Sequence, residues 1–245
     1  MYFNTFEETS VPNTMMRLLF LLTFLLISTF SGLQAQRLSR VTYGLDIGTG
    51  FTSDAFTPTI NYYQNLTFGN LRFLGIGWTG RFGGNVINGN PVLKTLGNPG
   101  EQDQISLKRI ITYDAAFGLT VNFDFEHIEF GANVDLVNLS FGKNSKVLYK
   151  IADLQQATDS VKKLHNTLVS AAPQSASLLP IATKKSNGHS EAYVRLWINQ
   201  EFGVKLGYQL MNVVYNTKEP LSNNQKRFVD QYGMPFLALS FHIQN

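Results

Sequence analysis

The segment "VNFDFEHIEFGANVDL", residues 121–136, alternates apolar and polar side chains and changes phase once. Val121, Phe123 and Phe125 are apolar at odd positions, and Ile128, Phe130, Ala132, Val134 and Leu136 are apolar at even ones. Alternation at period two marks a strand with two unlike faces. A phase change across Glu126-His127 is what a two-residue hairpin needs to keep one face apolar throughout. Phe125 then faces Ile128, Phe123 faces Phe130 and Val121 faces Ala132. The other face carries Asn122, Asp124, Glu129, Asn133 and Asp135.

Working outward from this hairpin, the same period predicts eight strands, over residues 40–52, 58–68, 72–83, 105–125, 128–142, 190–199, 202–215 and 234–243. The second, fourth and sixth connections are tight: Gly69 to Leu71, Glu126-His127, and Asn199 to Glu201. The third and fifth are long, and the fifth, from Lys143 to His189, is the longest. Short turns on one side and long loops on the other are the layout of a transmembrane barrel with both ends of its chain on the periplasmic side. A three-residue turn at Asn199 sets Leu196 opposite Val204 and Val194 opposite Leu206. A like turn at Gly69 sets Leu66 opposite Leu74 and Tyr62 opposite Trp78. Gln64 is the polar exception on the apolar face of its strand.

The polar face decides which medium each side meets. It is rich in glycine (Gly44, Gly48, Gly50, Gly75, Gly77, Gly118, Gly131, Gly203, Gly207), which weakens a solvated strand but fits the narrow interior of an eight-stranded barrel. It also sets like charges opposite one another, Asp124 against Glu129 and Arg195 against Lys205, which an exposed ladder disfavours. Inside a closed barrel the acidic pair can meet the basic pair across the lumen. Asp46, Arg81, Asp114, Asp124, Glu129, Asp135, Arg195 and Lys205 are therefore expected to form one internal polar network. Tyr43, Phe51, Tyr62, Phe68, Trp78, Phe82, Phe202 and Tyr208 sit near the ends of apolar faces, as interfacial girdles would.

The chain has 245 residues, 44% hydrophobic and 15% charged, with no cysteine, so neither disorder nor disulfides set its structure. "MMRLLFLLTFLLISTFSGLQAQ" has the charge, apolar run and small residue of a secretory signal ending at Ala35. Two regions are expected: an N-terminal extension with a cleavable signal over 1–35, and a barrel over 36–245. Removing 1–35 takes away Arg17, Glu7 and Glu8 and leaves 19 basic against 15 acidic side chains, a net charge of +4. The basic residues are scattered, so a nucleic-acid partner is not expected. Nothing after Ala35 is long and apolar enough for a transmembrane helix.

"INYYQNLTFGN", "FLGIGWTGRFGG" and "VDLVNLSFGK" resemble the small eight-stranded outer-membrane β-barrel proteins of Bacteroidota. The resemblance covers most of residues 40–243 and implies fold and compartment; it supplies no catalytic residue. "GLDIGTGFTS", residues 44–53, is similar to the phosphate-binding turn of actin-like ATPases and sugar kinases, but the two α/β lobes that turn requires are missing from the strand pattern. An enzyme acting on lipid A acyl chains needs a nucleophile, a histidine and a carboxylate together near the outer rim. Only His189, with Ser190 and Glu191, lies near that rim, and strand alternation parts the three. No metal-ligand spacing and no cofactor motif is present.

The longest loop has the one helical signal: Ile151, Leu154, Val161, Leu164 and Leu168 make a stripe within "KIADLQQATDSVKKLHNTLVS", which would end before Pro173. It reads as a helix packed on the barrel rim, or as a docking face for another envelope protein. The expected protein is thus an all-β, eight-stranded antiparallel up-and-down transmembrane β-barrel with a short helix in its third external loop. Its partners are outer-membrane lipids and, through residues 143–189, another envelope protein; no cofactor is expected. A non-enzymatic structural or interaction role is the first reading. The alternatives are a lipid A acyl-chain modifying enzyme and a secreted soluble barrel that binds an apolar ligand.

Overall fold

The computed structural model describes residues 39–68, 71–98, 100–155, 157–180, 186–221 and 225–243. The expected signal over 1–35 lies outside the described residues. From the N-terminal side the strands are β1 (Ser39–Phe51), β2 (Ala55–Phe68), β3 (Leu71–Ile87) and the short β4 (Val92–Lys94) and β5 (Gln104–Ser106). There follow β6 (Ile110–Phe125), β7 (Ile128–Gly142), the short β8 (Ser145–Lys150), β9 (Leu168–Pro173) and β10 (Ala176–Leu178), then β11 (Gly188–Trp197), β12 (Phe202–Thr217) and β13 (Arg227–His242). One helix, α1 (Asp159–Lys162), lies between β8 and β9.

The eight long strands close on themselves. Neighbours run β1, β2, β3, β6, β7, β11, β12, β13, and β13 returns to β1 from Gly44↔His242 to Gly50↔Phe236. Closure pairs the backbone groups that an open edge would leave bare, and a strand wall in lipid requires that. The tight turns and both ends of this wall lie at one rim. The expected hairpin registers Phe125↔Ile128, Phe123↔Phe130 and Val121↔Ala132 are present, as are Leu196↔Val204 and Val194↔Leu206.

The first hairpin differs in detail. Leu66 faces Ile76 and Gln64 faces Trp78, because a bulge between Thr67 and Phe68 brings Phe68 opposite Leu71. The shift is by two residues, so each side chain keeps its face and only its partner changes. A second bulge pairs Gly118 with Asp135 and Phe117 with Val137, which leaves Leu136 as the extra residue on β7. Beyond it the buried residues of β7 move from odd numbers (Glu129, Asp135) to even ones (Asn138, Ser140).

At the other rim the wall changes its members and continues. Above the turn at residues 52–54, β13 loses β1 and pairs with β4 at Val229↔Lys94. From there β4 pairs with β5, β5 with β8, β8 with β9, and β9 with β12 at Tyr215↔Pro173. These six strands form a second closed ring, a stalk that shares the β12–β13 hairpin with the barrel. Where β11 has ended, β10 takes its place on β7 at Ala176↔Leu139 and Leu178↔Val137.

Three expectations are corrected here. The strand expected over 105–125 breaks at Leu107–Arg109 into β5 and β6, and that expected over 234–243 begins at Arg227. The helical stripe is not one helix: among its described residues only Asp159–Lys162 are helical. Ile151 is buried, Val161 and Leu164 pack against the stalk core, and Leu154 and Leu168 are exposed, Leu168 on β9. Spacing by three and four also arises when an irregular loop turns inward at intervals, and β8 and β9 on either side are held by ladder pairing.

Candidate functional site

Along the barrel wall the large apolar side chains face out and the charges face in. Ile47, Ile60, Ile76, Phe82, Leu119, Phe123, Phe130, Leu206 and Leu239 are all exposed, Phe82 at 59%, while Arg195 and Lys205 inside are 1% exposed. Soluble monomers rarely expose more than a few hundred Å² of contiguous apolar surface, whereas this belt crosses every strand of the ring. Its medium is therefore hydrocarbon. A soluble carrier would have the two faces exchanged.

The lower lumen is built on Arg195. Its Nη1 donates to both carboxylate oxygens of Glu129, at 2.6 and 2.7 Å, and its Nη2 to both of Asp46, at 3.0 Å each. Its Nε donates to Ser240 Oγ at 2.9 Å, and that hydroxyl donates to Asp46 at 2.7 Å. Lys205 Nζ donates to Asp46 at 2.9 Å and also to Glu191, which accepts from Asn133 Nδ2 at 2.5 Å. Adjacent strands set Asp124, Glu129, Arg195 and Lys205 in one row, two acids and then two bases. The contact of unlike charges thus falls between neighbours on β7 and β11 as well as across the lumen to Asp46.

The eight expected residues do not join in one network. Asp46, Glu129, Arg195 and Lys205 form the lower cluster. Arg81 and Asp135 form a separate pair at 2.5 Å, with the His189 backbone N–H also on Asp135 at 2.9 Å. Asp114 accepts from Asn85 Nδ2 and from Ser140 Oγ, the latter at 2.5 Å. Asp124 belongs to none of these groups. Side chains link Asp135 with Asp114: Asn138 Nδ2 donates to Asp135 at 3.4 Å, and Ser140 Oγ lies 3.0 Å from Asn138 Oδ1 and also reaches Asp114. The Arg195 cluster lies at another level along the strands.

Four aromatic rings of this site were not anticipated. Arg195 lies over Tyr63, Tyr193 and Trp197, with its Cζ 4.4, 5.1 and 5.3 Å from the ring centroids. Lys205 Nζ lies 4.1 Å from the Tyr193 ring and 5.3 Å from that of Phe236. Cations held over aromatic faces gain from the ring quadrupole. Inward glycines give the rings space: a Cβ on Gly44 would sit 2.1 Å from Tyr63 Oη, and one on Gly131 2.4 Å from Tyr193. The parity of Tyr193 and Trp197, two residues either side of Arg195, is the signal that points them inward.

The histidines make no catalytic group. His189 Nε2 lies 2.9 Å from Gln209 Oε1, inside the barrel, while Ser190 takes the other face and Glu191 binds Lys205. His165 Nδ1 accepts from the Ile151 N–H, and His242 stacks on Trp197 with ring centroids 3.8 Å apart. Trp197 and His242 wall a vestibule of about 820 Å³ at the rim of the tight turns, with Arg40, Asp124 and Asn199. Above the lumen the inward face turns apolar. Ile87, Ile105, Ile110, Tyr149, Val213 and Phe228 are buried in one cluster that fills the stalk. Buried Asp103 accepts from Tyr149 Oη at 2.6 Å and from the Ala152 N–H at 2.9 Å.

An antiparallel ring with hydrocarbon outside, an ion-paired lumen and tight turns at one rim defines the outer-membrane type of transmembrane β-barrel. Among solved structures the chain is similar to Neisserial surface protein A, at 8% identity and a TM-score of 0.31, covering 83% of this chain and 96% of that one. It is similar also to Ail, the attachment invasion locus protein of Yersinia pestis, in complex with the heparin analogue sucrose octasulfate (10% identity, TM-score 0.34, covering 84% and 97%). A third is the NanC porin (8%, TM-score 0.22, covering 82% and 100%). Likeness at this level says nothing of ligands. No family model and no curated protein matches the chain.

Proposed function

We propose that this chain is an integral outer-membrane barrel, of the small kind that its sequence resembles in Bacteroidota, which conducts no solute and holds a β-structured stalk outside the cell as a surface for interaction. The observation that supports this is the continuation of the wall past the lipid belt into a six-stranded ring filled by its own apolar core. Such a core closes the lumen to the outside and stiffens the surface that residues 143–189 help to build. Its solvent is outer-membrane lipid, and the stalk with segment 143–189 is offered to another envelope protein. The role is non-enzymatic: the lumenal cations Arg81, Arg195 and Lys205 are each spent on carboxylates.

The test has two arms. Purified protein in planar bilayers should add no conductance steps, and protease added to whole cells should cut only in the stalk connections. Steady open channels, or cleavage confined to the tight-turn rim after the cells are opened, would refute the proposal.

A further inference from the structure

The lumen has two unlike halves. Around Arg195 the charges of β1, β7, β11 and β12 saturate one another. Along β2, β3 and β6 they do not: among the described residues, Asn61 Nδ2, the Oδ1 atoms of Asn65, Asn122 and Asp124, and Tyr63 Oη are shut off from the surface without a hydrogen-bond partner. Asn61, Tyr63, Asn65 and Asn122 are each more than nine-tenths buried. The amides of Asn122 and Asn65 lie over Gly75 and Gly77, where an added Cβ would meet their oxygens at 2.1 and 2.7 Å.

These groups form a trail. Asp124 lines the vestibule, and Asn122 is the next inward residue of β6. Asn65 lies one level further in, opposite Gly77, and Asn61 is opposite Arg81, whose partner is Asp135. Leaving five such donors and acceptors dry would cost, in sum, as much as the whole stability of an ordinary domain. A polar occupant is required. A cation would satisfy only the oxygens and an anion only the N–H and O–H groups, whereas water donates and accepts.

We propose that the β2–β3–β6 wall is a binding cleft for ordered water, entered from the vestibule and stopped at the Arg81–Asp135 pair below the stalk core. Solvent then enters half of the lumen without crossing the membrane. The proposal rests on the inside-out orientation of the barrel and not on what the stalk meets.

The chain has no cysteine, so single cysteines report cleanly. After each variant is checked for folding by its heat-shifted gel mobility, Asn65→Cys and Asn122→Cys should react with a small hydrophilic methanethiosulfonate at least about tenfold faster than Ser240→Cys in the ion-paired half. Equal rates in both halves, fast or slow, overturn the proposal. A second measurement needs no variant. Hydroxyl radicals made from bound water by X-ray pulses should oxidise Tyr63, 2% exposed, roughly tenfold more than Tyr193, 5% exposed; an equal or reversed ratio overturns it. One equivalent of a metal ion retained through chelator dialysis would assign the cleft to a cation, against the proposal. Failure of the non-conducting reading would show separately, as current steps in a bilayer.

Discussion

Replacing Arg195 with methionine tests the ion-paired half of the lumen most directly. The guanidinium makes five hydrogen bonds: two to Glu129, two to Asp46 and one to Ser240. Without it, Asp46 still accepts from Lys205 at 2.9 Å and Ser240 at 2.7 Å, so its charge stays compensated. Glu129 is left with one bond, from Tyr193 Oη at 2.9 Å. One buried carboxylate is stranded, and stranding one partner of a buried pair costs about 3–5 kcal/mol. Methionine packs among the three rings and limits the cavity cost. Equilibrium urea unfolding from detergent or lipid vesicles should therefore show Arg195→Met destabilised by about 3–5 kcal/mol. Adding Glu129→Gln should restore part of the loss, because the stranded charge is gone. Lys205→Met should cost less, since Arg195 still holds Asp46 and Asn133 still holds Glu191. A loss below about 1 kcal/mol for Arg195→Met, the range of a solvated surface pair, would refute the reasoning.

Three further outcomes follow from the same geometry. Leu119→Arg, midway up the lipid face of β6, should cost about 2–4 kcal/mol in the same unfolding assay, and no loss would mean that this face meets water. Gly77→Ala would bring a Cβ to 1.8 Å from the Gln64 carbonyl oxygen, whereas Gly80→Ala meets nothing nearer than 3.9 Å. The first should sharply reduce the heat-modifiable folded band and the second leave it unchanged; equal effects would contradict the lumenal packing. Ile105→Ala, at a site with 0% exposure, should cost the stalk about 2–5 kcal/mol and admit protease to residues 88–109 while the barrel keeps its folded mobility. Loss of both together would show that stalk and barrel are one cooperative unit.

The limits of the strand reading lie where polarity changes and phase does not. On β12 the inward residues Lys205 and Gln209 are polar, but Met211, Val213 and Tyr215, at the same parity, are apolar because they enter the stalk core. Val214, at the outward parity, is apolar and buried as well, so "VVY" is apolar throughout and alternation no longer marks a strand. The start of β13 is hidden in the same way: inward Phe228 and Met234 flank inward Tyr232 and Asp230, and outward Gln231 meets water. In the lumen, residue type and parity picked out Arg195, Lys205, Asp46 and Glu129, because charge on a face that must be buried is conspicuous. They did not reveal that Ser240, Tyr63 and Tyr193 complete the cluster, since hydroxyls and rings are common on either face.

The sequence alone determined where the hairpins turn, the face that side chains take outside the β7 bulge and the inversion of that face toward lipid, because these rest on neighbours two residues apart and on the composition of each face. Tertiary structure alone decided that the ring narrows from eight strands to six, that β9 and β4 take the places of β11 and β1 on the β12–β13 hairpin, and that the charges divide into separate clusters by level. Those outcomes depend on pairings between distant segments and on bulges that shift register. A local pattern of residues has no term for either.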